Sequence, residues 1–338
     1  MKRLPPLAIV AGLAALCLGA CARDTAAPTG TEPYPLAVPT GWPDPPVRAD
    51  NPLTVASVQL GRSLFFDERL SLSRGLSCSS CHQPDRAFSD SVARSRGVDG
   101  RTGMRNAPSL ANVAYHPLLL RDGGAPSLEQ QVLVPFFDHR ELDADPQQVV
   151  EALADDADVQ RLSRTAYGRP FDLYVLTRSL ANYLRTLLSG HSRYDQYLAG
   201  DRAALSPAET RGLDVFTGAG NCTACHSGHD LSDHGFHNTG LASDLANDPG
   251  RQRITLDPGD RGKFKTPTLR NIALTAPYMH DGSLTTLQAV VDHYRTGGKI
   301  GPDKDPLMMP LHLTDQQQAD LIAFLLSLTD VQPLDTQP

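Results

Sequence analysis

The sequence predicts a mainly α chain of two similar domains, on three observations. Its 338 residues exceed one ordinary domain of ~100–200 residues. The same order occurs twice along it: an apolar helix, a C-x-x-C-H motif and a closing amphipathic helix. Long alternating β-branched runs, the signature of a large sheet, are lacking. A composition 40% hydrophobic and 20% charged excludes a disordered or collagen-like chain. The net charge of −7 gives no global attraction for nucleic acid, so none is expected as a partner.

The chain opens with Lys2 and Arg3, then a 14-residue apolar run, Leu7–Ala20. That run is shorter than the ~20 residues needed to cross a bilayer. A basic start, a short apolar stretch and the small Gly19-Ala20 pair read as a secretory signal over residues 1–20. Leu18-Gly19-Ala20-Cys21 resembles a bacterial lipobox, in which Cys21 is lipidated and becomes the mature N-terminus. The alternative is a plain signal peptide cut nearby. Both place the mature protein in the periplasm, with an outer-membrane tether if Cys21 is lipidated. Loss of the two cations Lys2 and Arg3 takes the net charge from −7 to −9. Residues 21–50 hold seven prolines, from Pro28 to Pro46, and are expected to form an extended tether. The only tryptophan, Trp42, lies there.

The first domain, residues 51–200, starts with a helix carrying Leu60, Gly61, Leu64 and Phe65. Cys78-Ser79-Ser80-Cys81-His82 follows. Leu176, Leu180, Tyr183, Leu184 and Leu187 then recur at helical spacing. The second domain, residues 201–332, repeats the plan. Ser206-Pro207-Ala208-Glu209 is a capping box with proline at the first helical position. It opens a helix containing Gly212, Val215 and Phe216, before Cys222-Thr223-Ala224-Cys225-His226. A second capping box, Thr314–Gln317, opens a closing helix with Leu321, Ile322, Phe324, Leu325 and Leu328.

Two C-x-x-C-H motifs read as covalent haem c attachment. The thiols add to the haem vinyl groups, and the adjacent histidine reaches the iron as proximal ligand. Zinc is a rival. Zinc ribbons, however, place their C-x-x-C pairs ~15–20 residues apart, and these pairs lie 144 apart. Zinc also leaves a histidine after both pairs unexplained, and the βαβ context of a redox dithiol is missing. Cys78, Cys81, His82 and Cys222, Cys225, His226 are therefore assigned to two haem c groups. Helix, C-x-x-C-H and closing helix are the plan of a class I cytochrome c domain, so two cytochrome c-like domains related by an internal repeat are expected.

From about residue 53 to 330 the chain resembles the bacterial di-haem cytochrome c peroxidase/MauG family. The resemblance rests on Leu60-Gly-Arg-Ser-Leu-Phe-Phe-Asp67, Arg105-Asn-Ala-Pro-Ser109, Asp122-Gly123 and Ser127-Leu-Glu-Gln-Gln131. It continues in Phe264-Lys-Thr-Pro-Thr-Leu-Arg-Asn271 and Leu274-Thr-Ala-Pro-Tyr-Met-His-Asp-Gly282. It implies an oxidoreductase acting on hydrogen peroxide. The N-terminal haem would cleave peroxide, and the C-terminal haem would relay electrons or store oxidising equivalents. On the same mapping the distal glutamine, proline and acid fall on Gln131, Pro135 and Glu141. Cleaving the O–O bond requires a proton moved from the inner to the outer oxygen, which a carboxylate can do. The alternative for Glu141 is a solvated acid among Asp138, Asp143 and Asp145.

The chain departs from the family pattern in places. The histidine that closes the peroxidatic iron in other members falls near Val98, and no histidine lies between His82 and His116. The first haem is thus expected open at rest. The second haem's distal methionine falls on Tyr294, as in MauG. Methionine raises haem potential, whereas an anionic phenolate favours oxidised iron. Tyr294 as a core residue, and Met279, Met308 or Met309 as ligands, are the alternatives. Arg121 stands where the family has an inter-haem tryptophan. The resemblance also implies an inter-haem Ca²⁺ at Asn106, Thr275 and Pro277, since hard oxygens suit that ion. A turn cap is the alternative for Asn106. His280 is placed near the second haem, and His229, His234 and His237 read as solvated or haem-edge residues.

Three functions follow. The first is a periplasmic peroxidase fed by a small cytochrome c or cupredoxin. The second is MauG- or MbnH-like oxidation of Trp or Tyr on a partner protein, to which Phe236-His-Asn-Thr-Gly-Leu241 adds a resemblance. The third is a non-catalytic di-haem electron carrier.

Overall fold

The computed structural model describes residues 32–241, 245–301, 303–332 and 334–335. The expected signal and Cys21 lie outside them. The helices in order are α1 (Val55–Phe65), α2 (Leu128–Gln131), α3 (Val134–Phe137), α4 (Pro146–Ala152) and α5 (Ala157–Tyr167). They continue as α6 (Leu173–Arg185), α7 (Arg193–Leu198), α8 (Pro207–Thr217), α9 (Gln252–Thr255), α10 (Leu287–Thr296) and α11 (Asp315–Leu326). The sheet is one antiparallel pair, β1 (Phe236–His237) with β2 (Phe264–Lys265), in register Phe236↔Lys265. The fold is mainly α, as the sequence predicts. No helix among the described residues is long and apolar enough to cross a membrane.

Two helix crossings organise the chain, α1 on α6 and α8 on α11. Each turns on a glycine. A Cβ on Gly61 would lie 1.9 Å from Ser179 O, and one on Gly212 would lie 2.0 Å from Asp320 O. Only a residue without a side chain lets these backbones touch. The aromatics of the same pattern then fill the seam: Phe65 meets Tyr183 at 5.2 Å between rings, and Phe216 meets Phe324 at 5.2 Å. Both predicted capping boxes are formed, at Ser206 with Glu209 and at Thr314 with Gln317. The result is two separate apolar clusters, one per half.

The repeat runs deeper than helices and motifs. Asn112 and Asn271, 159 residues apart, both take left-handed φ (60° and 58°) and cap 3-10 turns. With the same offset, the Leu119–Ala125 and Tyr278–Leu284 bridges close matching Asp-Gly turns. Ser127 and Thr286, again 159 apart, cap α2 and α10 through side-chain oxygens. At the junction of the halves, Asn106 N donates to His280 O (2.9 Å) and Lys265 N donates to Arg121 O (2.7 Å). These bonds join equivalent positions in exchanged roles, so the halves meet about a pseudo-twofold axis.

Residues 32–50 have no regular element, as their prolines suggest, but they lie against the body. Tyr34 is buried, and Pro33 bridges Thr54. Trp42 packs on Tyr115 of the first half and on His229 and Arg270 of the second.

Candidate functional site

Each C-x-x-C is a single 3-10 turn, Cys78–Ser80 and Cys222–Ala224. His82 N donates to Cys78 O at 3.0 Å, and His226 N donates to Cys222 O at 2.8 Å. The turn thus brings two thiols and an imidazole to one wall. His82 Nδ1 lies 2.8 Å from Phe88 O, and His226 Nδ1 lies 3.0 Å from Leu231 O. A carbonyl only accepts, so each Nδ1 carries the proton and each Nε2 keeps its lone pair. That is the tautomer of a metal-ligating histidine held by an outer-shell carbonyl. Burial lowers both imidazole pKa values, favouring the neutral ligand form. Burial, then Cys81, pushes the Cys78 thiol up to about 12; burial likewise pushes Cys222 up to about 12. The four motif cysteines, Cys78, Cys81, Cys222 and Cys225, form no disulfide. Both motifs line one continuous cavity of about 530 Å³. The pair of thiols, the fixed imidazole and the shared apolar cavity fit two attached haems.

Gln131, Pro135 and Glu141 line this cavity with His82. The helix of Gln131, α2, is anchored by a buried polar network. Glu129 on α2 accepts from Arg185 (2.7 Å) and Asn51 (2.9 Å), while Asn182 donates to Asn51 and Ser57. Glu141 is exposed to the open cavity, although many protein atoms lie close around its carboxyl. Burial, and then the neighbouring Asp138, push its pKa up to about 7. Val98 is buried at 2% exposure and donates its N–H to Glu141 O at 2.9 Å. The position of the closing histidine therefore offers no ligand atom.

In the second half Tyr294 on α10 lines the cavity, and burial followed by Cys222 and Cys225 raises its phenol. Such a phenol stays neutral unless a metal cation takes the place of its proton. Met279, Met308 and Met309 line the cavity too. Within the repeat, Tyr294 stands 159 residues after Pro135, the spacing of Ser127 and Thr286. One residue position thus carries a ring without a ligand atom in one half and a phenol in the other. His280 is buried and stacks on Phe264, with ring centroids 3.6 Å apart.

The calcium expectation meets a conflict. Asn106, Thr275 and Pro277 do line the cavity. Asn106 Oδ1, however, accepts from Arg121 Nη2 at 2.6 Å, and Asn106 O accepts from Arg121 Nε at 2.9 Å. A guanidinium already donates to the oxygen a divalent cation would need, so the residues present do not fit Ca²⁺. Burial, then Arg105, lowers the Arg121 pKa to about 10, which leaves it charged at neutral pH.

Sequence reasoning missed the charges around this junction. Asp122 is fully buried and accepts from Arg105 (2.7 Å) and Arg253 (2.6 Å), and Arg105 also holds Asp248. It missed a cluster of His116, Asp230 and His234 as well, whose ligand atoms lie within 4.8 Å of one another. Lys265 Nζ donates to His116 Nδ1 at 2.9 Å, which places an ammonium where a metal would compete. His237 is not merely solvated: it bonds Asp305 (2.6 Å) and Asp233 (3.0 Å). These partners are up to 149 residues apart and leave no local pattern.

Residues 55–203 match the profile of di-haem cytochrome c peroxidases, and residues 210–329 match that of cytochrome c. The methylamine utilization protein MauG of Methylorubrum extorquens is 38% identical, over 82% of this chain and 79% of that protein. Cytochrome-c peroxidase IdrP1 of Denitromonas iodatirespirans is 34% identical, over 95% of this chain and 93% of that protein. The crystal structure of a MauG-like protein associated with microbial copper homeostasis aligns with a TM-score of 0.84 at 38% identity. The alignment covers 90% of this chain and 97% of that one. With both haem-attachment sites formed and both halves matched, the chain belongs to the di-haem cytochrome c peroxidase/MauG family and is an oxidoreductase of the peroxidase type.

Proposed function

We propose that the chain is a periplasmic di-haem peroxidase that reduces hydrogen peroxide to water, H₂O₂ + 2 e⁻ + 2 H⁺ → 2 H₂O. The observation that carries this reading is the Glu141 carboxyl on the cavity wall it shares with His82, with its pKa raised to about 7. A catalytic carboxyl works best when its pKa lies near the operating pH. When bound to Cys78, Cys81 and His82, the haem supplies the redox-active iron at which the O–O bond breaks. Glu141 takes the proton from the inner peroxide oxygen and returns it to the outer one, which leaves as water. Gln131 orients the peroxide by hydrogen bonding. Pro135 and Val98 present no ligand atom and keep the position free for it. A small cytochrome c or cupredoxin would supply the two electrons; Cys222, Cys225, His226 and Tyr294 would hold the second haem, which would contribute electron-relay chemistry. Lipidation of Cys21 would keep the enzyme at the outer membrane.

One observation favours a second reading, MauG-like oxidation of Trp or Tyr on a partner protein. Tyr294, not a methionine, stands at the position equivalent to Pro135, and a phenolate ligand favours oxidised iron. Stoichiometric peroxide added to the oxidised holoprotein without reductant separates the readings. A prompt spectral change that decays when reduced cytochrome is added supports the peroxidase. A change that persists until a partner protein is oxidised supports the second reading. Reaction only after prior reduction would overturn the role given to Val98. No reaction in either state would leave a non-catalytic carrier.

A further inference from the structure

We propose that Arg121 is a built-in cation between the two haem domains, standing with its own guanidinium where the family resemblance implies calcium. Two independent features support this. The first is local. Arg121 donates to both oxygens of Asn106, Nη2 to Oδ1 at 2.6 Å and Nε to the carbonyl at 2.9 Å. Asn106 Nδ2 is turned away to Val92 O at 3.3 Å, which fixes the amide with its oxygen towards the guanidinium. A divalent cation at that oxygen would face an adjacent positive charge in a half-enclosed cavity, where screening is weak.

The second feature is the pseudo-twofold axis. The 159-residue offset relates Asn106 to Lys265, Thr275 to His116 and Pro277 to Leu118. In the symmetry-related place Lys265 Nζ donates to Leu118 O (3.0 Å) and to His116 Nδ1 (2.9 Å). The backbone oxygen equivalent to the implied calcium ligand Pro277 O is thus already served by a lysine ammonium. Arg121 puts the chain's own positive charge on the other side of the axis. Each half therefore carries a side-chain cation at this junction, on the wall of the haem cavity. Arg121 is a positioning residue. It holds Asn106 and fixes a charge that does not exchange with the surroundings, so the haem environment does not depend on free calcium.

The test is calorimetric titration of chelator-treated holoprotein with CaCl₂. The wild type is expected to show no saturable binding, and one stoichiometric site would overturn the proposal. Arg121→Ala frees Asn106 Oδ1. The carbonyls of Thr275 and Pro277 accept no hydrogen bond among the described residues. These are hard oxygens of the kind Ca²⁺ takes, so this variant is expected to gain one saturable site. Failure to gain it overturns the proposal as well. Arg121→Lys keeps the charge and is expected to bind none; binding there counts against it. A second readout is the haem reduction potential. It should be indifferent to chelator or calcium in the wild type. It should fall in Arg121→Ala as a nearby positive charge is lost, and return when calcium is added. A wild-type potential that moves with calcium contradicts the idea. If Arg121→Ala fails to mature, the wild type and Arg121→Lys decide the matter. None of these measurements needs turnover, so their outcome is independent of the peroxidase reading.

Discussion

Replacing Glu141 with glutamine tests the proposed chemistry most directly. The amide keeps the size and hydrogen bonding of the carboxyl but cannot shuttle a proton. General acid–base catalysis contributes roughly 10²–10⁴-fold, so the second-order rate with peroxide should fall by about that range. The pH profile adds a sharper criterion. Glu141 is pushed up to about 7, first by burial and then by Asp138, whereas an exposed glutamate titrates near ~4.3. The carboxylate is the form that accepts the peroxide proton, so activity is present above the folded pKa and lost as pH falls through it. With a pKa of about 7, roughly one tenth of molecules are active at pH 6 and roughly nine tenths at pH 8, a change of about tenfold. Stopped-flow mixing with peroxide, followed at the Soret band from pH 5 to 9, measures both effects. Asp138→Asn should shift the acidic limb to lower pH without removing it, because burial is the larger cause. An E141Q rate within about tenfold of wild type, or a wild-type limb centred near 4, would refute the assignment.

Three further outcomes follow from the geometry. Tyr294→Phe should change the low-spin spectrum of the second haem while leaving attachment at Cys222 and Cys225 intact; an unchanged spectrum would return the ligand role to a methionine. Gly61→Ala and Gly212→Ala should each destabilise by about 1–3 kcal/mol, since the new Cβ meets a carbonyl oxygen at 1.9 or 2.0 Å. Thermal melts of the two variants check this, and wild-type melting temperatures would show that the crossings are looser. Glu129→Ala leaves the buried Arg185 without its carboxylate, a change of ~3–5 kcal/mol. It should also slow the peroxide reaction by loosening α2, on which Gln131 sits; a melting curve beside the stopped-flow assay reads both.

Much of the site was legible because covalent chemistry demands a local signature. Two thiols and a histidine must be contiguous to hold a haem, so Cys78–His82 and Cys222–His226 stand out in the sequence. Helix caps are local too, and both boxes formed where Ser206 and Thr314 predicted them. The finer repeat was present in the sequence but diluted. Pro108-Ser-Leu-Ala-Asn112 and Pro267-Thr-Leu-Arg-Asn271 share the spacing that makes Pro135 and Tyr294 equivalent. The charges at the junction were not legible. Arg105, Asp122, Asp248 and Arg253 are scattered in sequence and converge only when the halves pack. Arg121 is visible in the sequence as a departure from the family pattern, but nothing local pairs it with Asn106, 15 residues away. Only the folded arrangement shows that the two belong together.

The docked segment around Trp42 gives the protein an intrinsic optical reporter. Trp42 is the only tryptophan, so indole emission comes from a single place in the molecule. Its ring lies 4.5 Å from the Arg270 guanidinium, and Gly190 clears room for it and for Pro39. Seated there it touches both halves at once, and its fluorescence should be strongly quenched by haem absorption. Peeling this segment away, by proteolysis near Pro45 or by pulling on an anchored N-terminus, should brighten the emission and shift it to the red. A plain fluorimeter can therefore follow how firmly the two halves are strapped together, without any added label.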